Sequence, residues 1–171
     1  MATSGDPAED IFQADGRLRP DLLTDAALEV MRQGLEQARN TRWDSVRSPH
    51  VFMGLLAAPD TGIVKWAERI GEDASNILVQ FQDLFHQAEG ECQPVLALNR
   101  EFLSDNVIQL LRESFQRALD NRRPRITPMD LLISLLTAPN SIVAECFERV
   151  GKTAAKLTEL AVIAEHEARP T

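Results

Sequence analysis

A chain of 171 residues in which 44% are hydrophobic can form one domain, or two small ones, around a buried core. Its formal net charge of −8 argues against a general nucleic-acid binder, because such proteins rely on clustered lysine and arginine side chains that face phosphates. Two cysteines in dissimilar contexts, Cys92 and Cys146, argue against a disulfide framework and against a cysteine-based zinc site.

The first twenty residues are polar and rich in aspartate, glycine and proline, so we expect a flexible N-terminal leader over 1–20. Ile11 and Phe12 are compatible with a short docking helix between Pro7 and Gly16, and a disordered tail is the alternative. The start lacks the basic residues and the apolar run of a secretory signal, and no apolar run approaches the length of a membrane span. We therefore expect a cytoplasmic protein that does not enter a membrane.

One apolar segment occurs twice, first from Ser48 to Pro59 and again from Pro128 to Pro139, at an offset of 80 residues. Both copies are apolar nearly all round, which is typical of a helix in the middle of a core. Two such helices indicate two copies of one structural unit.

Helix start and stop signals recur at the same offset. Gly71 and Gly151 stand where the third helix of each copy needs a left-handed cap. An Ala-Pro pair at 58–59 and 138–139 ends the second helix. The residues placed to cap helix starts are Thr24, Ser48, Asp73, Ser104, Thr127 and Thr153.

Small residues also recur at this offset, inside helices that are otherwise built from larger residues. Gly34 pairs with Ser114, and Gly54 pairs with Ser134. Glycine in a helix interior costs about 1 kcal/mol relative to alanine. We therefore expect helices to cross closely at these positions.

The copies together predict an all-α fold of eight helices, because sustained alternation and hairpin dipeptides are absent. We expect one domain over 21–171, in which two four-helix units, at about 23–88 and 103–168, pack with pseudo-twofold symmetry. The linker at 89–100 carries Val95, Leu96 and Leu98, which are too apolar for a free linker. We expect it to pack along the surface of the pair.

Three elements occur in tandem: a Leu-Thr/Ser-Asp start, a Pro-x-x-Leu-Leu-x-x-Leu-Leu helix from Pro128 to Leu136, and a Glu-Arg-Ile/Val-Gly close at 68–71 and 148–151. In this order and spacing, over about 23–168, the chain resembles the double Clp repeat module at the N-terminus of Clp unfoldases. In that family the module is a mobile appendage on an ATP-driven ring and receives substrates and adaptors. The resemblance implies two four-helix Clp repeats and a role in regulated protein unfolding, disaggregation or degradation.

The chain lacks the Gly-x-x-x-x-Gly-Lys-Ser/Thr loop that holds nucleotide phosphates, and residues 151–153 match only its end. The resemblance therefore implies a non-catalytic module without a cofactor, which delivers protein clients or adaptors to a Clp ATPase ring in cis or in trans. The alternative is a stand-alone Clp-repeat regulator that binds the Clp machine and modulates its assembly or activity. The sequence fits a fragment of a larger ATPase and an independent chain equally well.

The three histidines, His50, His86 and His166, are scattered without partners at metal-ligand spacing, so we expect no metal site. Capping and surface roles are expected for His50 and His86. Cys146 replaces an apolar residue of the third helix and is expected in the core. Cys92 falls in the linker, where nothing nearby would activate it. An enzyme acting through Cys92 or a histidine is the least supported alternative, and we expect no catalytic residue.

Two arginine-rich loops join the first and second helices of the copies. On an acidic protein they are candidates for holding acidic segments of a partner, because guanidinium groups pair well with carboxylates and phosphates. Solvated loop arginines are the alternative. Trp43 is an aromatic anchor that Arg123 does not replace at the equivalent position, so we expect the first loop to contribute more. The candidate partner-binding residues are Arg39, Arg42, Trp43, Arg47, Arg122, Arg123 and Arg125.

Some family members bind phosphoarginine-marked clients through a glutamate in a Thr-Glu-His motif at the start of the second helix. The corresponding residues here are Ser48-Pro49-His50 and Pro128-Met129-Asp130. Pro49 and Met129 replace the glutamate, so recognition of phosphoarginine is not expected.

Overall fold

The computed structural model describes residues 11–87, 95 and 97–168. Within these residues the regular structure consists of eight α-helices and two short 3-10 helices, and β contacts are limited to isolated bridges. The prediction of an all-α fold with eight helices is confirmed. The α-helices are α1 Asp25–Asn40, α2 Ser48–Ala57, α3 Thr61–Ile70, α4 Ala74–Phe85, α5 Asp105–Asp120, α6 Pro128–Thr137, α7 Ile142–Glu148 and α8 Ala154–Ala168.

Helix ends follow the predicted capping chemistry. Thr24 and Ser104 each accept a hydrogen bond from the backbone N–H three residues later, at 3.1 and 3.2 Å. Gly71 and Gly151 lie beyond α3 and α7 with φ of 77° and 85°, in the left-handed region that favours glycine. α2 begins one residue before the expected position, with Arg47 rather than Ser48 as the cap residue.

The apolar helices α2 and α6 form the centre of the core, and nearly all their residues are buried. α1 crosses α2 at two glycines: a Cβ placed on Gly54 would lie 2.9 Å from the backbone nitrogen of Gly34. In the second copy, Ser114 and Ser134 are buried at the corresponding positions. The predicted close crossing is therefore confirmed for α1 and α2.

Aromatic rings join the two copies into one core. The ring of Phe52 on α2 lies 6.0 Å from Trp66, 4.8 Å from Phe81 and 5.8 Å from Phe147 of the second copy, measured between ring centroids. The indole N–H of Trp66 donates to the carbonyl of Leu157 on α8 at 3.1 Å. Each four-helix unit therefore buries apolar surface that it would expose alone.

Two isolated parallel bridges show the pseudo-twofold relation directly. Leu23 pairs with Ile126, and Leu103 pairs with Val46. Adding 80 to Leu23 gives Leu103, and subtracting 80 from Ile126 gives Val46. Each copy therefore begins by bonding to the loop before the second helix of the other copy, so the halves are arranged reciprocally.

The first 3-10 helix is Pro20–Leu22, and the residues before it, 11–19, pack against the core. Ile11 and Leu18 are buried, Phe12 pairs with Leu18 in an antiparallel bridge, and the Leu18 N–H donates to the Leu98 carbonyl at 2.9 Å. This packing corrects the expected flexible leader for residues 11–20. It also corrects the expected docking helix, since residues 11–19 form bridges and turns instead. Residues 1–10 lie outside the described residues.

The linker is described only in part, at Val95 and from Ala97 onward. Val95 is fully buried, and Leu98 is partly buried against the core, in agreement with the expected packing. Leu96 and residues 88–94 lie outside the described residues.

No single helix in the described part of the chain is long and apolar enough to cross a membrane. α6 and α7 reach that length and composition only as a pair, bent by 71°.

Candidate functional site

The first predicted loop, between α1 and α2, is tied to the rest of the domain. The indole N–H of Trp43 donates to the carbonyl of Phe85 at 2.6 Å, and the ring meets the imidazole of His50 edge-on with centroids 5.6 Å apart. Arg39 donates from Nε to the carbonyl of Val95 at 2.5 Å. Trp43 is therefore half-buried by contacts within the domain, and Arg39 is bonded to the middle of the linker at Val95.

His50 is buried, with both ring nitrogens in hydrogen bonds. Its Nδ1 accepts from the backbone N–H of Arg47 at 2.9 Å, so Nε2 carries the proton and donates to Thr41 Oγ1 at 3.1 Å. Burial, with a smaller contribution from the nearby Arg47 guanidinium, lowers the pKa of His50 to about 4. The ring is therefore neutral near pH 7. The expected capping role is confirmed, and the expected surface role is wrong for His50.

The second predicted loop, between α5 and α6, delivers Arg123 to a buried carboxylate. Arg123 and Arg117 both donate to Asp130, at 2.5 and 2.6 Å, and Arg117 also donates to Glu165 at 2.9 Å. Burial alone would raise the pKa of Asp130, but the hydrogen bonds from Arg123, the Thr127 backbone and Arg117 outweigh it and lower the pKa. Arg123 is therefore engaged within the domain.

The 80-residue offset relates this charged cluster to the neutral cluster of the first copy. Gln37, Trp43, His50 and Phe85 correspond in order to Arg117, Arg123, Asp130 and Glu165. The same place in the fold is thus stabilised by ring packing in one copy and by ion pairs in the other. The remaining predicted loop arginines differ: Arg42 and Arg122 are exposed turn residues with φ of 67° and 60°, and Arg125 is exposed.

One candidate for a binding site is a cavity of about 400 Å³ where the two copies meet. Its walls come from the start of α2 at 47–49, the first half of α5 between Ser104 and Glu113, and the α6–α7 connection at 138–142. The buried side chains of Leu110 and Leu135 also belong to the lining. We call this cavity the open groove.

The open groove combines apolar and hydrogen-bonding surface. Ile142 is 45% exposed, an unusual exposure for an isoleucine, and it lines the groove together with Pro49. Hydroxyl and amide side chains of Ser48, Asn106 and Gln109 stand around it. Such a lining suits an extended polypeptide, because the backbone can use the polar groups while a side chain enters the apolar part.

Arg47 is the one predicted site residue that lines the open groove. Its guanidinium carbon lies 4.9 Å from the centroid of the Trp43 ring, and its Nε donates to Ser45 Oγ at 3.1 Å. It makes no ion pair within the described residues. Glu113 supplies a negative charge elsewhere in the lining. Trp43 thus orients Arg47, while Arg39, Arg42, Arg122, Arg123 and Arg125 do not line this groove.

The repeat-related counterpart of the open groove is filled by the chain itself. The offset of 80 replaces Pro49 by Met129 and Ile142 by Gly62. Met129 is buried, and a Cβ placed on Gly62 would lie 2.8 Å from both Cγ and Sδ of Met129. The methionine side chain therefore lies directly on the glycine. We call this place, at Met129 and Gly62, the closed site.

The sequence prediction missed the open groove because it looked for charge and aromatic anchors. The sequence does contain one indication of it, because two pairs of residues at the 80-residue offset differ strongly in size. Met129 corresponds to the short ring of Pro49, and Gly62 corresponds to Ile142. Their proximity depends on how the two copies pack, which the sequence does not display.

Neither a metal centre nor a thiol site is supported by the described residues. No group of three or more histidine, cysteine, aspartate or glutamate side chains lies close enough there to hold a metal ion. Cys146 is half-buried against the core, and burial raises the pKa of its thiol. Cys92 lies outside the described residues.

Solved structures share this architecture, although no family model matches the chain and no curated protein matches it. The N-terminal domain of the caseinolytic protease associated chaperone ClpD from Arabidopsis thaliana is similar with a TM-score of 0.57 and 16% identity, over 85% of this chain and 95% of that one. The N-terminal domain of Hsp104 from Candida albicans is similar with a TM-score of 0.64 and 13% identity, over 86% and 93%. The chain has the Clp N-domain fold. At these identities the likeness shows the fold alone, and it confirms the predicted Clp-repeat architecture.

Proposed function

We propose that this Clp N-domain is a non-catalytic, cytoplasmic binding module of a Clp-type unfoldase or protease system. It takes segments of client or adaptor proteins and delivers them for ATP-dependent unfolding or degradation. The observation that carries the proposal is the open groove, which lies between two copies of a repeat whose architecture matches N-terminal domains of Clp-type chaperones.

The composition of the open groove supports a polypeptide ligand. Ile142 offers an exposed apolar surface for a side chain, the buried Leu110 and Leu135 also belong to the lining, and Asn106 and Gln109 can bond to backbone amides. Arg47, held against Trp43, provides one positive charge at its edge. A peptide in this groove would touch both copies, so its binding depends on the packed pair.

A binding assay with a permanently unfolded protein tests this proposal. The probe is fluorescently labelled α-lactalbumin that has been reduced and carboxymethylated. Ile142→Glu charges the exposed wall of the groove at the first position of α7, where an acidic residue suits the helix. Val150→Glu is the matched control, because Val150 is 68% exposed and does not line the groove.

We expect Ile142→Glu to weaken binding at least about fivefold, or about 1 kcal/mol, while Val150→Glu leaves it unchanged. Equal binding by the wild type and Ile142→Glu would overturn the groove as the site. Binding of an intact Clp ATPase ring without binding of the unfolded probe would favour the stand-alone regulator instead.

A further inference from the structure

Among the described residues that line the open groove, two are charged, Arg47 and Glu113, and they have opposite signs. We propose that the open groove selects client segments in which an acidic and a basic residue stand about four positions apart, with a small apolar residue between them. The acidic residue pairs with Arg47 and the basic residue pairs with Glu113. This inference rests on the proposed function of the open groove, and it adds the chemistry by which a segment is selected.

The positive charge of the groove stands beside the beginning of α5. The Val46 N–H donates to the Phe102 carbonyl at 2.7 Å, and the Ser104 N–H donates to the Val46 carbonyl at 3.0 Å. Arg47 therefore follows directly on a segment that is bonded to the residues before α5. Its guanidinium is held over the Trp43 ring and makes no ion pair within the described residues, so it is available to a carboxylate of a client.

The negative charge of the groove lies further along the same helix. Glu113 comes nine residues after Ser104 (113 − 104 = 9), which corresponds to about 13 Å along α5. An extended chain covers this distance in about four residues. Glu113 is half-buried and accepts from Gln109 Nε2 at 3.1 Å, and within the described part of the chain it makes no ion pair. The charged residues Asp105 and Arg112 also belong to α5 but do not line the groove.

The surface between the two charges suits the backbone of an extended segment. Asn106 and Gln109 precede Glu113 on one face of α5, at spacings of three and four residues, and their exposed amides can bond to a client backbone. Ile142 has a side chain where the repeat-related Gly62 has none, so the place that the closed site leaves free is filled here. An apolar residue of the client therefore lies against Ile142, and the two charges carry the selection.

Reversing one charge at a time tests this inference. Glu113→Arg makes both charges of the groove positive, and Arg47→Glu makes both negative. Asp120→Arg is the matched control for the first variant, because Asp120 accepts from Gln116 on the same helix at 3.0 Å and does not line the groove. Arg125→Glu is the control for the second, because Arg125 is exposed and lies outside the lining. Each control changes the net charge of the domain by the same amount as its variant.

The probe is a labelled twelve-residue peptide with one glutamate and one lysine four positions apart, a valine midway and a glycine–serine background. Because an extended segment can lie in either direction, both orders of the two charges are synthesised and the tighter-binding one is used. Two comparison peptides carry glutamate at both charged positions, or lysine at both. A third has the glutamate and the lysine side by side, so that its composition is unchanged.

We expect the wild type to bind the glutamate–lysine peptide at least about threefold more tightly than each comparison peptide at low ionic strength. Glu113→Arg should bind the peptide with two glutamates most tightly, and Arg47→Glu the peptide with two lysines. Asp120→Arg and Arg125→Glu should keep the order of the wild type, because neither changes the charge within the groove.

An unchanged order of affinities in either groove variant would overturn the inference. The same would follow if a control changed the order, because the net charge of the domain would then explain it, or if the wild type bound none of the peptides. If the inference fails while Ile142→Glu still weakens binding of the unfolded protein, the proposed function stands and only the charge selection is lost. A dimer in light scattering that dissociates in Arg47→Glu would identify a second copy as the occupant and would also overturn the inference.

Discussion

Replacing Asp130 by asparagine removes the charge at the centre of the ion-pair cluster while keeping the size of the side chain. Asp130 is fully buried and accepts from Arg117 at 2.6 Å and from Arg123 at 2.5 and 2.8 Å. Removing one partner of a buried pair costs about 3–5 kcal/mol, because the other charge is left uncompensated. Here the arginine side chains are 20% and 25% exposed, and Glu165 still pairs with Arg117. We therefore expect a loss of about 2–4 kcal/mol in the free energy of unfolding.

Urea denaturation followed by far-UV circular dichroism measures this loss near neutral pH. Glu167→Gln is the control, because the Arg69–Glu167 pair is also short, at 2.7 Å, but both side chains are more than a third exposed. We expect little change for that variant, since exposed ion pairs contribute weakly. A loss for Asp130→Asn that matches the control would refute the reasoning that burial gives the cluster its importance.

The pH dependence of the Asp130→Asn difference follows from the sign of the pKa shift. The folded pKa of Asp130 is lowered from 3.8, so its stabilising contribution is present above that value and is lost as the pH falls through the folded pKa. The stability difference between wild type and Asp130→Asn should therefore shrink in strong acid. A difference that grows on acidification would contradict the direction of the shift.

Three further predictions concern other positions. The pKa of His50 is about 4 in the folded protein and 6.5 in the unfolded chain, so unfolding takes up a proton between these pH values. The free energy of unfolding should therefore decrease as the pH is lowered from 6.5 to 4, by up to about 1.4 kcal/mol per pH unit. The same slope for wild type and His50→Gln would contradict this. Gly54→Ala should cost about 1–3 kcal/mol in urea denaturation, because its Cβ would lie 2.9 Å from the Gly34 nitrogen, and a neutral result would mean that α1 and α2 can separate freely. Trp43→Ala should lower the unfolding free energy by about 2–3 kcal/mol, and peptide titration of the folded variant should show weaker binding by about 1–2 kcal/mol because Arg47 loses its support; unchanged binding would leave Trp43 a packing residue alone.

The architecture was predictable from the sequence because it depends on signals that are local or strictly repeated. Thr24 and Ser104 cap helices through groups three residues away, and Gly71 and Gly151 adopt a left-handed conformation through their own backbone freedom. The 80-residue offset then reveals a second copy, and two apolar central helices require a shared core.

The site depended on tertiary contacts between residues far apart in the chain. The sequence shows that both loops are rich in arginine, but it does not show that Arg123 meets the buried Asp130 while Arg47 lines a groove. Likewise, Met129 and Gly62 touch only because α6 of one copy packs against α3 of the other. Capping acts through a few bonds along the backbone, whereas burial and cavity shape arise only when separate elements pack, so only the folded structure distinguishes the open groove from the closed site.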